Sequence, residues 1–484
     1  MSSTSRKKVR YEDVLQAILE DSDVSSSGSE SDELSDADSD GEDGSRPSSV
    51  TASSVAAAAA LAGTSDTVPS TSRAVQDAAA DDSSDDDADD GWSCPDFVWH
   101  PARYEVPLMH QFTGSQGMNV DATGFSMPDF YKLYLSSDLV NHFVIQTNLC
   151  AKQFIETHSN LPPHSRVRRW QDTTADEMCQ FIGLVLLMGI IHKPVIEMYW
   201  STDPLYVTPL FSSGMQRNRF SMLLKFFHLN DSTQEPKKED LNRDRLYKLR
   251  PLIDHLFEAF QTVYTPGPSV AVDESLVMWK GRLHFRQYLP LKHARFGIKL
   301  FCLAEDSGYL YRFRIYAGKQ DPATAMLSVM PSECANFSHT EQVVVYMALP
   351  LLDKGYSIFM DNWYSSCRLY DYLHHRQTTA CGTMRSNRVP LPVRQSQPAV
   401  GQSTAFRCGP LLCLKFKDKK DIYMLTTCHD ETMVKPPRSR GRPRTDKETE
   451  LKPQCIVDYN KNMGSVDRVD AVLHPYSAAR KLMK

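Results

Sequence analysis

The chain has 484 residues, of which 41% are hydrophobic and 24% charged, with a formal net charge of −6. That length accommodates two or three domains with sizeable cores. The longest apolar run, residues 181–191, is too short to cross a bilayer and suits a buried helix. The 11 cysteines are dispersed without a CxxC pair, which reads as free thiols in a reducing compartment rather than a disulfide framework.

The charge is segregated. Residues 1–92 hold 22 acidic and 6 basic side chains, a balance of −16, which leaves +10 for the remainder. A basic body behind an acidic tail fits a polyanion-binding protein, and also fits a body with a merely solubilising tail. The tail opens on Arg6, Lys7, Lys8 and Arg10, a cluster of the nuclear-import kind. Residues 22–90 are rich in Ser, Asp, Glu and Ala and almost free of aromatics, so they bury too little apolar area to offset their conformational entropy and are predicted to be disordered.

Further along, apolar residues recur at helical spacing over 128–150, 172–191, 214–229 and 249–263, which predicts four helices, the second capped by Thr173 or Thr174. The bases Arg217, Arg219, Lys225 and His228 of this block fit either a DNA-facing surface or an ordinary solvated face. From Ser269 the texture changes to strands. Residues 288–302 and 309–316 flank the turn Asp306-Ser307-Gly308, a hairpin signal. Helices are predicted over 340–352 and 363–375, a strand over 380–383, and two or three strands over 404–428. Residues 433–452 form a polar basic linker whose Arg440-Gly441-Arg442-Pro443-Arg444 core looks like an AT-hook, slim enough for an A·T minor groove, or like a plain basic loop. Ile456 and Val457 read as the end of a further strand, and a helix begins near Ser465.

Three stretches carry acids where acids are expensive. In SVAVDESLVMWKGR (269–282), Asp273 and Glu274 interrupt a buried strand. In YSIFMDNWYSS (356–366), Ile358, Phe359 and Met360 run into Asp361. An ionised carboxylate in such a place calls for a cation, a hydrogen-bond net or a metal. Two strands that each deliver one Asp bring two carboxylates together, the kind of ligand that binds Mg²⁺ in phosphoryl-transfer sites. Equally, each Asp can pair with a nearby base or cap a turn. In CIVDYNKNMGSVDRVDAVL (455–473), Asp467 and Asp470 share one face of the predicted helix, where the helix dipole alone also accounts for them.

Taken in order, AVDESL, FMDNWYSS and DYNKNMGSVDRVD closely resemble the motifs of the piggyBac family of DNA transposases. KPVIEMYWSTDPL (193–205), YLPLKHARFGIKL (288–300) and CGTMRSNRVPLP (381–392) add to the resemblance, which runs from about Trp99 to the C-terminus. It implies an α/β fold: an RNase H-like catalytic core with a β-rich insertion, flanked by an α-helical dimerisation and DNA-binding domain and the disordered acidic N-terminal tail. The corresponding segments are the tail (1–92), the mostly helical domain (93–267), the first part of the core (268–400), the insertion (401–432), the basic linker (433–452), the third acid motif (453–474) and the start of a truncated helical region (475–484).

The resemblance further implies metal-dependent cutting and joining of double-stranded DNA at TTAA sites in the nucleus, by a homodimer, without a membrane. By position Asp273, Asp361 and Asp467 fall on the catalytic carboxylates, with Asp470 as a fourth ligand to Mg²⁺ or Mn²⁺. Candidate DNA contacts are Lys292, Arg295, Lys299, Arg385, Arg388, Arg440 and Arg442. Family members continue past the point where this chain stops, at Lys484, into more of the helical domain and a Cys/His-rich zinc domain that recognises element ends. The alternative expectation is therefore a catalytically idle, transposase-derived DNA-binding protein. A carboxylate-based glycosidase fits less well, given the basic body and a third acid on a separate segment.

Overall fold

The computed structural model describes residues 97–102, 107, 109–237, 239–240, 243–279, 281–289, 295–318, 329–437 and 451–478. The acidic tail, the basic cluster at its start, and Arg440-Gly441-Arg442-Pro443-Arg444 lie outside them.

The helical block comes first. Helices α1 (Met127–Tyr134) and α2 (Ser137–Thr157) replace the single helix expected over 128–150. Ser136 accounts for the break, because its hydroxyl accepts from the Leu139 N–H at 3.2 Å and starts a second helix. Thr174 caps α3 (Ala175–Ile190) as expected, accepting from the Glu177 N–H. The helix predicted from residue 214 begins at Arg217, since Gly214 ends a separate short helix, Pro209–Gly214. This α4 (Arg217–Phe226) packs Phe220 and Leu223 against Leu139, Phe143, Met178, Phe181 and Leu184 in one core. Helix α5 (Arg250–Val263) then leads to the sheet.

Eight strands make most of one mixed sheet: β1 (Ser269–Met278), β2 (Phe296–Glu305), β3 (Leu310–Ile315), β4 (Ser357–Met360), β5 (Thr379–Thr383), β6 (Ser403–Cys408), β7 (Leu411–Lys417) and β8 (Asp421–Thr426). Their order is β3-β2-β1-β4-β5-β8-β7-β6, with two-residue strands at Gln287–Tyr288 and His100–Pro101 on β2 and β6. The first three are antiparallel, β4 and β5 run parallel to β1, and the last three are antiparallel again. The β2–β3 hairpin turns where expected. Gly308 takes φ +86 there, and the Glu305 N–H donates to the Tyr309 carbonyl at 3.0 Å.

The strands of 401–432 are continuous with this sheet. β8 pairs with the edge of β5 through Thr383↔Met424, Gly382↔Leu425 and Cys381↔Thr426. The backbone groups of β5 thereby gain partners instead of forming an open edge.

Side chains alternate across the strands and separate two cores. Val270 and Val272 join Ile358, Met360 and Val344 on the face covered by α6 (His339–Ala348) and α7 (Cys367–His375). Ala271, Phe359 and Cys381 meet Cys455 and Ile456 of α8 (Gln454–Asn462) on the other face, where α9 (Ser465–Leu473) also packs, through Val466 and Val469 onto Cys302 and Ala304. Ile456 and Val457 are thus helical, against the strand expectation. Their segment starts directly after Pro453, and Cys455, Ile456, Tyr459 and Met463 recur at helical spacing toward one apolar surface.

Candidate active site

Strands β1 and β4 run side by side with Ala271 opposite Phe359 and Val272 opposite Met360. Asp273 and Asp361 are the next residues on each chain, so the register sets the two acids abreast at the carboxyl end of β4. Alternation places Asp273 on the face of Ala271 and Asp361 on the face of Phe359, which is the same face, under α8. The carboxyl ends of parallel strands are where α/β sheets open a crevice. Gly382 of β5 holds this crevice tight. A Cβ there would collide with the Met360 carbonyl oxygen and the Tyr370 and Ser365 hydroxyls, so β5 lies flush against the turn that carries Asp361.

Electrostatically Asp361 is under stress. Burial pushes its pKa up to about 6, and the Glu274 carboxylate adds to the shift. The backbone N–H groups of Trp363 and Tyr364 and the Arg385 guanidinium oppose it without cancelling it. Two tyrosines close the site. Tyr364 is fully buried and donates to Glu274 Oε2 at 3.3 Å. Burial raises its pKa well above the ordinary value, and Glu274, Asp273 and Asp361 all add to the rise. Tyr459 on α8 is pushed up to about 12 by burial, with Asp361 and Asp273 contributing. Both hydroxyls therefore stay protonated and available as donors.

The third acid comes from α9. Ser275 lies two residues beyond Asp273 on the same face and donates its hydroxyl to Asp470 Oδ1 at 2.5 Å. Asp467 stands exposed in the first turn of the helix. So the structure sets Asp273 and Asp361 together, places Asp470 against β1, and leaves Asp467 at the solvent side. Among the described residues no group of three or more His, Cys, Asp or Glu side chains is close enough to hold a metal ion. The donor chemistry still suits a hard divalent cation, which takes carboxylate and water oxygens. Asp361 gives the physical reason, since a desolvated carboxylate beside other acids gains more than a solvated one from a cation.

The basic candidates divide. Arg385 reaches toward the site, with Nε 3.5 Å from Asn362 Oδ1 and its charge felt at Asp361. Arg388 donates to the Trp363 carbonyl at 3.0 Å. Lys299 is buried at 9% exposure, its Nζ 4.4 Å from the Trp363 ring centroid, because its pairing with Leu276 turns it toward the α6 side. Arg295 is exposed where β2 begins, at φ +48. Lys292, Arg440 and Arg442 lie outside the described residues. In the helical block Arg219 is engaged by Glu177 at 2.5 Å and lies over Trp170.

Sequence reasoning passed over Ser275, Tyr364 and Tyr459. Tyr364 and Tyr459 stand within the motifs DNWY and DYN, but nothing in their spacing says that the turn after β4 and the helix α8, far apart in the chain, both set a tyrosine within the field of Asp273 and Asp361.

Comparison with known proteins agrees with this architecture. Residues 128–484 match the family model described as transposase IS4. PiggyBac transposable element-derived protein 3 of Homo sapiens is 27% identical over 347 residues, covering 68% of this chain and 54% of its own length. PiggyBac transposable element-derived protein 2 of Homo sapiens is 23% identical over 367 residues, covering 73% and 57%. The chain thus spans a little over half the length of these curated relatives. In fold it is similar to piggyBac transposase in a cryo-EM synaptic complex with hairpin DNA, with a TM-score of 0.59 at 24% identity, covering 77% of this chain and 73% of that one. No helix among the described residues is long and apolar enough to cross a membrane. By its family match, its relatives and its mixed α/β sheet, the chain belongs to the piggyBac-type transposases.

Proposed function

We propose that the protein is a divalent-metal-dependent DNA transposase that cuts and joins double-stranded DNA at TTAA sites, with Asp273, Asp361 and an α9 carboxylate as its catalytic acids. The observation that carries this reading is the register of β1 and β4, which sets Asp273 and Asp361 abreast on one face. The strand order around them, an antiparallel trio followed by two parallel strands, supports the reading of an RNase H-like core. Asp470, hydrogen-bonded to Ser275, is the α9 acid already drawn to β1, and Asp467 is the other α9 carboxylate that would serve as a ligand, three residues before it on the same helix. A bound Mg²⁺ or Mn²⁺ pair would lower the pKa of an attacking water or 3′-hydroxyl and stabilise the leaving oxygen.

The chain's own residues do the rest. Asp273 and Asp361 supply fixed negative charge, and their crevice under α8 limits water. Tyr364 donates a hydrogen bond that holds Glu274, next to Asp273, in place. Arg385 is set to meet a phosphate beside the acids, and Arg295 one at the entrance to β2, contacts that position DNA rather than read its sequence. Such a protein works on its substrate in the nucleus, as a homodimer.

One observation favours a second reading, an idle DNA-binding derivative. The described acids form no group of three within metal-holding reach, and Asp467 is exposed. Incubating the full chain with a DNA hairpin ending in TTAA and with Mg²⁺ or Mn²⁺ separates the two. The enzyme reading expects strand opening that is lost in Asp273→Asn and Asp361→Asn. Salt-dependent binding without opening, unchanged by either substitution, selects the derivative.

A further inference from the structure

On the α8 side of the sheet, away from the acids, a cavity of about 310 Å³ is lined by Ser269, Ser357, Phe359, Cys428, His429, Gln454, Asp458 and Lys461, among others. Within it three side chains form a chain of contacts. The Cys428 sulfur lies 3.3 Å from His429 Nδ1, and His429 Nε2 lies 3.0 Å from Asp458 Oδ2. Thr426 Oγ1, 2.8 Å from His429 Nδ1 and 3.2 Å from the Cys428 N–H, fixes the ring and the turn together. His429 is buried at 7% exposure, and Cys428, half-buried as a residue with its sulfur packed against His429 and Thr426, borders the cavity. This arrangement of thiol, imidazole and carboxylate is the one that activates cysteine nucleophiles. None of its members serves the carboxylate site.

The electrostatics point the same way. Burial alone opposes charge on His429, but its hydrogen bonds to Asp458, Cys381 and Cys428 outweigh burial and raise its pKa. Burial would raise the Cys428 thiol, yet the bond to and charge of His429 lower it. The other groups facing this thiol are Cys381 and Thr379 of β5, Tyr370 of α7, and Cys455, Asp458 and Lys461 around α8. Cys381 and Cys455 are held as neutral thiols by burial, so they do not compete for the proton.

We propose that Cys428, His429 and Asp458 form a reactive-thiol modification site that accepts a small disulfide through this cavity. The Cys428 thiolate attacks one sulfur of the incoming disulfide and a new S–S bond forms. The original S–S bond breaks, and the departing sulfur leaves as a thiolate that takes its proton from solvent. The small disulfide supplies the oxidising equivalents, and the product is a mixed disulfide on Cys428.

The test uses the full chain with a sub-stoichiometric aromatic disulfide, 5,5′-dithiobis(2-nitrobenzoate), following the released thiolate at pH 6 and pH 8 and locating the adduct by peptide mass mapping. The first equivalent is expected on Cys428, with a rate that changes less than about threefold between the two pH values, whereas a thiol of pKa near 8.5 slows by tens of fold. Asp458→Asn is expected to slow the pH 6 reaction about tenfold and to leave the pH 8 rate nearly unchanged. Mapping on the unaltered chain does not depend on that variant folding. A first adduct on another cysteine, a Cys428 rate with the pH profile of an ordinary thiol, or no reaction at Cys428 in the folded chain would overturn the proposal.

Discussion

At the scale of single residues, Asp361 is the most informative group. Its native pKa is raised to about 6 from the ordinary carboxylate value of 3.8, so the native state binds more protons than the unfolded one between those values. Stability therefore falls as pH rises through about 4 to 6, and the full penalty, about 3 kcal/mol, persists above that window. Asp361→Asn removes it. In divalent-free buffer we expect this variant to be about 1–3 kcal/mol more stable than the parent chain at pH 7.5 in urea unfolding, with the gain shrinking as the pH is lowered toward 4. A variant less stable at pH 7.5 would mean that the acid is already neutralised by a partner. The placement of Asp273 and Asp361 was legible in the sequence because an acid inside a run of buried residues is costly wherever the run sits. The burial of Lys299 was not legible. It follows from pairing with Leu276, and a strand read alone does not reveal which face its neighbour covers.

Among the elements, Glu341 joins two helices at the rim of the site. Fully buried, it accepts from the Ser338 N–H at the start of α6, from the Ser366 hydroxyl that caps α7, and from Arg368 at 2.5 Å. Because α7 follows directly on the turn after Asp361, this carboxylate helps to fix that turn. Glu341→Ala strips the donors of Ser338, Ser366 and Arg368 of their acceptor at once, and we expect a loss of about 3 kcal/mol in the urea midpoint analysis. A loss below about 0.5 kcal/mol would show that solvent replaces the carboxylate without penalty. Helix periods and caps made most of these elements readable, Thr174 being the clear case. Two misreadings have specific causes. Ser136 supplies a cap inside one continuous apolar pattern. Ile456 and Val457 form a β-branched pair in what is a short helix, where burial of Ile456 in one cluster with Ala271 and Phe359 overrides local preference.

For the whole molecule, the division of charge matters most. The body carries +10 and residues 1–92 carry −16. On the DNA-binding reading proposed above, these acids repel phosphate, so a variant lacking residues 1–92 is expected to bind duplex DNA about tenfold or more tightly at low salt, with a steeper fall of log K against log salt in a fluorescence titration. Equal affinities with and without the tail would make it a passive solubilising segment. The topology itself lay beyond the sequence. Individual strands were recognisable, but their order, with β8 rather than β6 on β5, depends on long-range pairing that no local signal encodes.

The proposed chemistry rests on Asp273 and Asp361 together holding a divalent ion. Calorimetric titration of Mg²⁺ and Mn²⁺ into the full chain tests it most directly, alongside Asp273→Asn and Asp361→Asn whose folding is verified by circular dichroism. Saturable binding by the unaltered chain is expected, and either substitution is expected to abolish it while the fold remains intact. Absence of binding by the unaltered chain, or binding that survives both substitutions, would contradict it.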